Sequence, residues 1–89
     1  MKRPAKQRAL HRIKIIQGHL KKVEEMIAAD AYCVDTITQS LAVQSSLRSL
    51  NKLLLSHHLG HCAVDQVKTG QAETMVRELT TLYELEARA

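Results

Sequence analysis

The side chains best suited to bind a metal ion cluster in the stretch 57-HHLGHC-62, which contains three histidines and one of the two cysteines of the chain. The other cysteine, Cys33, lies far upstream in 31-AYCVD-35. His58 and Cys62 are four residues apart, and on a helix this spacing places both side chains on one face, within reach of a single ion. Cys33, His58 and Cys62 therefore form a candidate metal site, provided that the fold brings them together.

One protomer cannot assemble these three residues if the chain between them is a continuous helix. The 25 steps from Cys33 to His58, at about 1.5 Å each, correspond to roughly 37 Å. If this helix pairs antiparallel with its copy in a second protomer, Cys33 of one chain meets His58 and Cys62 of the other, twice per dimer. The midpoint of that pairing falls near Ser46, and the small residues of 42-AVQSSLRS-49 would let the two helices approach closely.

Two thiolates and one imidazole make a soft site with three ligands. Cu(I) is satisfied by few soft donors, whereas Zn²⁺ sites are usually four-coordinate and would need another ligand. His57 and His61 form a second pair four residues apart, about 100° around the helix, and could offer Zn, Ni or Co an extra nitrogen. Spacing alone therefore leaves the metal open, and it equally allows the cysteines to be small apolar core residues beside solvated histidines.

The spacing of apolar residues predicts the helices that must position these groups. Helix one is predicted over about residues 4–29, since its apolar residues step alternately by four and three: Ala9, Ile13, Ile16, Leu20, Val23 and Ile27. Asp30 is predicted to cap a long second helix that extends nearly to Cys62, with Gly60 and Gly70 bracketing its end and the next turn. Its apolar face consists of Ile37, Leu41, Leu47, Leu50 and Leu54.

A short third helix follows, and the composition supports an all-α protein. Its apolar side is formed by Ala72, Met75, Val76, Leu79, Leu82 and Tyr83. Aromatic residues make up only 2% of the chain, which is rich in strong helix formers. A chain of 89 residues makes one domain, residues 1–89, and small chains of this size often gain stability by oligomerising.

The chain contains no apolar run long enough to span a membrane and no signal-peptide pattern, so a cytoplasmic location is expected. In a reducing compartment, two cysteines are more often reactive or metal-binding than joined in a structural disulfide.

Positive charge is concentrated near the N-terminus. Eight of the 13 Lys and Arg residues fall within the first 22 positions, and no Asp or Glu precedes Glu24. Oligomerisation would multiply this face into an extended positive surface of the kind that binds the DNA backbone, although such a run is also typical of a solvated helix face. No helix-turn-helix spacing is evident. The residues predicted to contact DNA are Arg3, Lys6, Arg8, Arg12 and Lys14, with Arg48 and Lys52 on helix two.

Three stretches, 17-QGHL-20, 31-AYCVDTITQSLAVQSSL-47 and 57-HHLGHC-62, resemble the copper-sensing repressors of the CsoR/RcnR family. In this resemblance, Cys33 and the pair His58 and Cys62 occupy the family's copper-sensor register. It implies an all-helical homodimer built as an antiparallel four-helix bundle, commonly a dimer of dimers, with Cu(I) held by residues of both protomers. Relatives that sense nickel or cobalt use further nitrogen ligands, including an N-terminal histidine, whereas this sequence begins MKRP.

The resemblance also implies roles for residues outside the ligand set. Tyr32 and Glu78 match the tyrosine and the third-helix glutamate that support the metal-bound histidine through its second ring nitrogen. Arg12 occupies a typical basic position of the family. Ser49, beside Arg48, stands where several relatives carry arginine, so the DNA contact of helix two departs from their pattern.

We therefore predict a Cu(I)-responsive transcriptional repressor that binds double-stranded operator DNA and leaves it when copper binds. One alternative is a thiol sensor on the same fold, with Cys33 and Cys62 of paired protomers joined by a disulfide or persulfide bridge, although such chemistry does not need His58. Another is a helical interaction module with incidental thiols. An enzyme is disfavoured because no oxyanion donors or substrate pocket can be assigned.

Overall fold

The structure is a computed structural model that describes residues 1–88. Its elements are α1 (Arg3–Ala28), α2 (Cys33–His58), a π-helical segment (Leu59–Ala63), α3 (Val64–Lys68) and α4 (Ala72–Arg88). No strand occurs in residues 1–88, and no loop interrupts the succession from α2 through the π-helical segment to α3. The predicted all-α class with three helical stretches is therefore confirmed.

The chain forms two compact units, one comprising Met1–Leu55 and the other beginning at Ser56. In the first unit, a four-residue connection at 29–32 separates α1 from α2, and the two helices share one core. Its buried side chains are Ile16, Val23, Val43 and Leu50, with Ala9, Ile13 and Leu54 packed around them. The buried residues on each helix are seven positions apart, as expected for two helices packed lengthwise. The single domain over residues 1–89 stays a prediction.

Much of the predicted apolar face lies outside this core. Leu20, Ile27, Ile37 and Leu41 are each more than half exposed in the protomer. Small domains bury a limited share of their apolar surface, and contiguous exposed apolar patches commonly mark contact surfaces for another chain. Within residues 1–88, no helix combines the length and hydropathy needed to cross a bilayer.

The turn after α1 corrects the prediction that Asp30 caps the second helix. Asp30 has a φ of 52°, in the left-handed region. Its N–H donates to the Ile27 carbonyl, and the next N–H donates to the Met26 carbonyl, which is the Schellman arrangement that ends a helix. Asp30 therefore terminates α1. The Tyr32 carbonyl accepts the N–H of Thr36 at 3.1 Å and so takes the capping position of α2.

The end of the second helix also differs from the prediction. Helical structure was expected to stop near Cys62, but it continues to Lys68. Gly60 lies inside the π-helical segment. A glycine in a helix interior costs only about 1 kcal/mol, so it does not by itself end the helix. Gly70 does end α3: its φ is 79°, and its N–H donates to the Val67 carbonyl at 3.3 Å. The third predicted helix, α4, extends beyond the apolar positions that indicated it.

Candidate functional site

His58 and Cys62 flank the junction between α2 and the π-helical segment. His58 is the last residue of α2, and Cys62 is the fourth residue of the segment. The Cys62 side chain is exposed and carries a free thiol. His58 is half-buried, and its Nε2 is fully buried without a hydrogen-bond partner. An imidazole nitrogen left without a partner costs free energy, so this atom is available to a ligand or to a side chain that moves towards it.

Glu78 lies beside His58 in the second unit. An open groove, here called the α4 groove, is lined by His58, Arg77, Glu78, Thr81 and Leu82. The Glu78 carboxylate does not bond to His58, whose Nε2 is unpaired. Instead, Glu78 Oε1 accepts a hydrogen bond of 3.1 Å from Gln66 Nε2. The structure therefore brings the predicted supporting residue to the same groove as the histidine but pairs it with another side chain.

Sequence reasoning missed Gln66. Gln66 is half-buried, and its Oε1 is fully buried without a hydrogen-bond partner. A signal for it was present in the spacing, because His58, Cys62 and Gln66 follow one another at steps of four residues and so continue one stripe along the helical stretch. Its partner, twelve positions away across the turn, could not be identified from periodicity.

Cys33 and Tyr32 stand at the other end of α2. Cys33 is the first residue of α2 and carries an exposed, free thiol. Tyr32 is 68% exposed. Because α2 begins at Cys33 and ends at His58, the helix has the bounds that the separation calculated from the sequence assumes. Within residues 1–88 of one protomer, no three His, Cys, Asp or Glu side chains come together to hold a metal ion.

His57 and His61 form a separate pair. Their ring centroids are 4.5 Å apart, with the ring planes tilted by 40°, and both side chains are half-buried. The two imidazoles therefore pack on each other. Their participation as additional nitrogen ligands stays a prediction.

The basic residues predicted to contact DNA lie on both helices of the first unit. The exposed ones are Arg3, Lys6, Arg8 and Lys14 on α1 and Arg48 and Lys52 on α2. Arg12 is half-buried and lines a shallow pocket with Ile15, Ile16, Ser46 and Ser49. Ser49 therefore lines the same pocket as Arg12 and contributes a short, uncharged hydroxyl there.

Comparison with known proteins identifies the family. The sequence model of the family described as metal-sensitive transcriptional repressors matches residues 5–84. This chain belongs to the metal-sensitive transcriptional repressor family. The family is one of repressors and not of enzymes, and its match spans both compact units.

Named relatives within this repressor family are copper sensors. The copper-sensing transcriptional repressor CsoR of Mycobacterium tuberculosis (strain ATCC 25618 / H37Rv) is 42% identical over 74 residues, which cover 83% of this chain and 62% of the relative. CsoR of Bacillus subtilis (strain 168) is 33% identical over 78 residues, or 88% of this chain and 77% of the relative. The chain thus spans about 62% of the length of the mycobacterial relatives that it matches.

A solved structure supports the same assignment. The copper-sensing repressor CsoR with Cu(I) from Geobacillus thermodenitrificans NG80-2 matches with a TM-score of 0.92 and 29% identity, covering 98% of this chain and 91% of that one. The resemblance of this sequence to the CsoR/RcnR repressors is confirmed. The roles of its individual residues as metal ligands, supporting groups and DNA contacts stay predictions.

Proposed function

We propose that this protein is a cytoplasmic, Cu(I)-responsive transcriptional repressor, acting through one metal-sensing and DNA-binding domain over residues 1–89. Its metal-free form binds double-stranded operator DNA and releases it on binding Cu(I). The observation that carries the proposal is the donor set, in which free thiols at Cys33 and Cys62 accompany a buried, unpaired imidazole nitrogen at His58. Relatives and a structural neighbour named as copper sensors support it.

The donors fit Cu(I) chemically. Thiolate sulfur and imidazole nitrogen are soft or borderline ligands, and Cu(I) accepts low coordination numbers that leave Zn²⁺ unsatisfied. When bound, Cu(I) would link two thiolates and one imidazole in a single coordination sphere. Because Nε2 of His58 is unpaired, the imidazole is free to bind the metal through one ring nitrogen and a supporting carboxylate through the other.

The site requires two protomers. Cys33 and His58 are the first and last residues of α2, so an antiparallel pairing of α2 with its copy would supply Cys33 from one chain and His58 with Cys62 from the other. The exposed apolar residues of α1 and α2 favour such a pairing, since burying them would be stabilising by about 25 cal/mol per Å² of apolar surface. The proposed assembly is an antiparallel four-helix-bundle homodimer, which can pair again as a dimer of dimers.

DNA binding is proposed for the basic face of the first unit. Its Lys and Arg side chains are exposed, with Arg12 half-buried among them, and two or four copies of this face would follow the phosphate backbone of a duplex. Release of the counterions condensed on DNA would supply most of the binding free energy.

Linkage constrains how the two sites communicate. If Cu(I) weakens DNA binding by a given factor, DNA must weaken Cu(I) binding by the same factor. Glu78 is suited to carry part of this coupling, since it shares the α4 groove with His58 and belongs to a different helix. A metal-bound histidine usually donates through its second nitrogen to such a carboxylate. Tyr32, immediately before Cys33, is proposed to support the same imidazole from the other protomer.

Anaerobic titration of the protein on operator DNA tests this function. Cu(I) should reduce DNA affinity, measured by fluorescence anisotropy, while Zn²⁺ and Ni²⁺ at equal concentrations should have a much smaller effect. The wild-type coupling is expected to be about 1 to 3 kcal/mol. Release by a polysulfide donor but not by Cu(I) would support thiol sensing in place of copper sensing, and DNA binding indifferent to both would refute metal-dependent repression.

Replacing Glu78 with Ala should separate copper binding from the DNA response. Both thiolates and the imidazole remain, so most Cu(I) affinity should persist. The coupling free energy between Cu(I) and DNA binding, about 1 to 3 kcal/mol in the wild type, should fall by well over half. Glu84→Ala, on the same helix and exposed, is the matched control and should respond as the wild type does. Normal copper-dependent release by Glu78→Ala would mean that the signal travels by another route.

A further inference from the structure

Two polar atoms in the second unit are buried without hydrogen-bond partners: His58 Nε2 and Gln66 Oε1. Most buried polar groups in proteins are paired, and an unpaired one commonly marks a place where a ligand or a second conformation supplies the partner. Glu78 is close to both residues: it lines the α4 groove with His58 and accepts a hydrogen bond from the Gln66 amide.

Chemistry fixes the orientation of the Gln66 amide. A carboxylate only accepts hydrogen bonds, and the amide of glutamine has one donating and one accepting end. Turning the amide over would set Gln66 Oε1 against Glu78 Oε1, two acceptors at hydrogen-bond distance, so the donor Nε2 must face Glu78 as observed. The opposite end, Oε1, is then left buried without a donor. The interaction between Gln66 and Glu78 is therefore a single hydrogen bond that leaves a buried acceptor unpaired. Its net stabilisation is small, so the bond can be broken readily.

The position of Gln66 makes it a competitor of His58 for one carboxylate. His58 and Gln66 are eight positions apart with Cys62 midway, which places them along one stripe. In this structure the Glu78 carboxylate is bonded to Gln66, while His58 Nε2 has no acceptor. A Glu78 side chain that turned to His58 would lose the Gln66 bond and would satisfy the buried imidazole nitrogen.

We propose that Gln66 is a positioning residue that holds the Glu78 carboxylate away from His58 in the metal-free protein and so sets the Cu(I) concentration at which the repressor responds. This inference rests on the proposed copper-sensing function. Two arrangements compete: in the first, Glu78 is bonded to Gln66, and in the second it is bonded to His58. Because a ligated His58 favours the second arrangement, stabilisation of the first weakens Cu(I) binding.

Gln66→Met removes the amide while keeping an unbranched side chain of similar length and good helix propensity. Metal-free Gln66→Met should bind Cu(I) more tightly by about threefold to tenfold, the range that loss of one hydrogen bond commonly produces. The Cu(I) concentration that releases DNA should fall by a similar factor.

The experiment combines three variants with two measurements on the full chain. Cu(I) affinity is measured anaerobically by competition with a chromogenic Cu(I) chelator, and the ¹⁵N chemical shifts of the His58 ring nitrogens are recorded in the metal-free protein. Gln71→Met, an exposed glutamine of the same unit, is the matched control. In a Glu78→Ala background, Gln66→Met should have no further effect on Cu(I) affinity, since the two side chains act through one bond.

The outcomes separate the inference from the function on which it rests. Tighter Cu(I) binding by Gln66→Met, a ring-nitrogen shift indicating a new hydrogen bond at His58 Nε2, and no effect in the Glu78→Ala background would support the proposal. If wild-type protein releases DNA with Cu(I) but Gln66→Met binds Cu(I) as wild type does or more weakly, the role of Gln66 is wrong while the repressor function stands. If wild-type protein shows no Cu(I)-dependent release, both are wrong. Gln66→Ala repeats the measurements if Gln66→Met proves unstable in thermal unfolding.

Discussion

A mixture of Cys33→Ala protein with His58→Ala, Cys62→Ala protein is expected to recover one tight Cu(I) site per mixed dimer, although neither protein forms one alone. Cys33 begins α2 and His58 ends it, so we expect the proposed ligand set to come from opposite ends of two antiparallel copies. In the mixed dimer, one end then has all three wild-type ligands and the other end has none. Native mass spectrometry after subunit exchange would count Cu(I) per dimer, with two expected for wild type.

A second mixture provides a control with the opposite expectation. Wild-type protein mixed with a Cys33→Ala, His58→Ala, Cys62→Ala variant should give mixed dimers with no intact site, because each end lacks either Cys33 or the His58 and Cys62 pair. A site assembled within one protomer would reverse both results: the first mixture would stay empty and the second would hold one Cu(I). The two mixtures therefore decide between shared and separate sites without requiring an absolute affinity.

Replacing Arg12 and Lys14 with Ala is expected to weaken DNA binding strongly and without regard to sequence. Each DNA phosphate that is no longer neutralised should lower the slope of log affinity against log salt by about 0.9, and in a dimer every replaced residue leaves two such phosphates if both copies touch DNA. Cu(I) affinity of the DNA-free protein should be unchanged. Anisotropy titrations on specific and unrelated duplexes at several salt concentrations would measure both the affinity and the slope.

Two controls isolate the position of the charge from its amount and from packing. Lys68→Ala with Arg88→Ala removes the same charge from exposed positions of the second unit and should leave the salt slope almost unchanged. Arg12→Gln keeps part of the aliphatic stem that lines the pocket with Ile16 and Ser46, so it tests whether any decrease in affinity reflects packing. If DNA binding and its salt slope survived Arg12→Ala, Lys14→Ala and removal of residues 2–8, the basic face would be only a solvated one.

The overall helical architecture was predictable because it depends on local periodicity. Apolar residues at alternating steps of four and three specify a stripe, and the stripe specifies which helix face is buried. Ile16, Val23 and Leu50 were assigned to such faces and are buried in the structure. The predicted pairing of His58 with Cys62 is equally local, since four residues bring two side chains to one face whether the turn is α-helical or π-helical.

The helix ends were less predictable because they depend on which backbone groups find partners. Asp30 is a residue type that often caps the N-terminus of a helix, but the carbonyls at the end of α1 needed hydrogen-bond donors. The left-handed conformation of Asp30 allows its own N–H and the next one to donate to them. Gly60 and Gly70 look alike in the sequence, yet only Gly70 adopts a positive φ. The helical stretch continues past Gly60 as a π-helical segment, and this is decided by hydrogen bonding over the whole turn and not by one residue's propensity.

The sequence by itself determined the helical class, and it predicted a soft donor set at Cys33, His58 and Cys62 that needs a second protomer, because each inference depends only on residue type and on distance along a helix. Only the tertiary structure decided how the supporting groups are paired. The hydrogen bond between Gln66 and Glu78 joins residues twelve positions apart, and the burial of His58 Nε2 and Gln66 Oε1 depends on how the chain folds back at Gly70. Neither periodicity nor spacing encodes which of two donors a carboxylate meets across a turn, since that choice is made by side-chain packing in three dimensions.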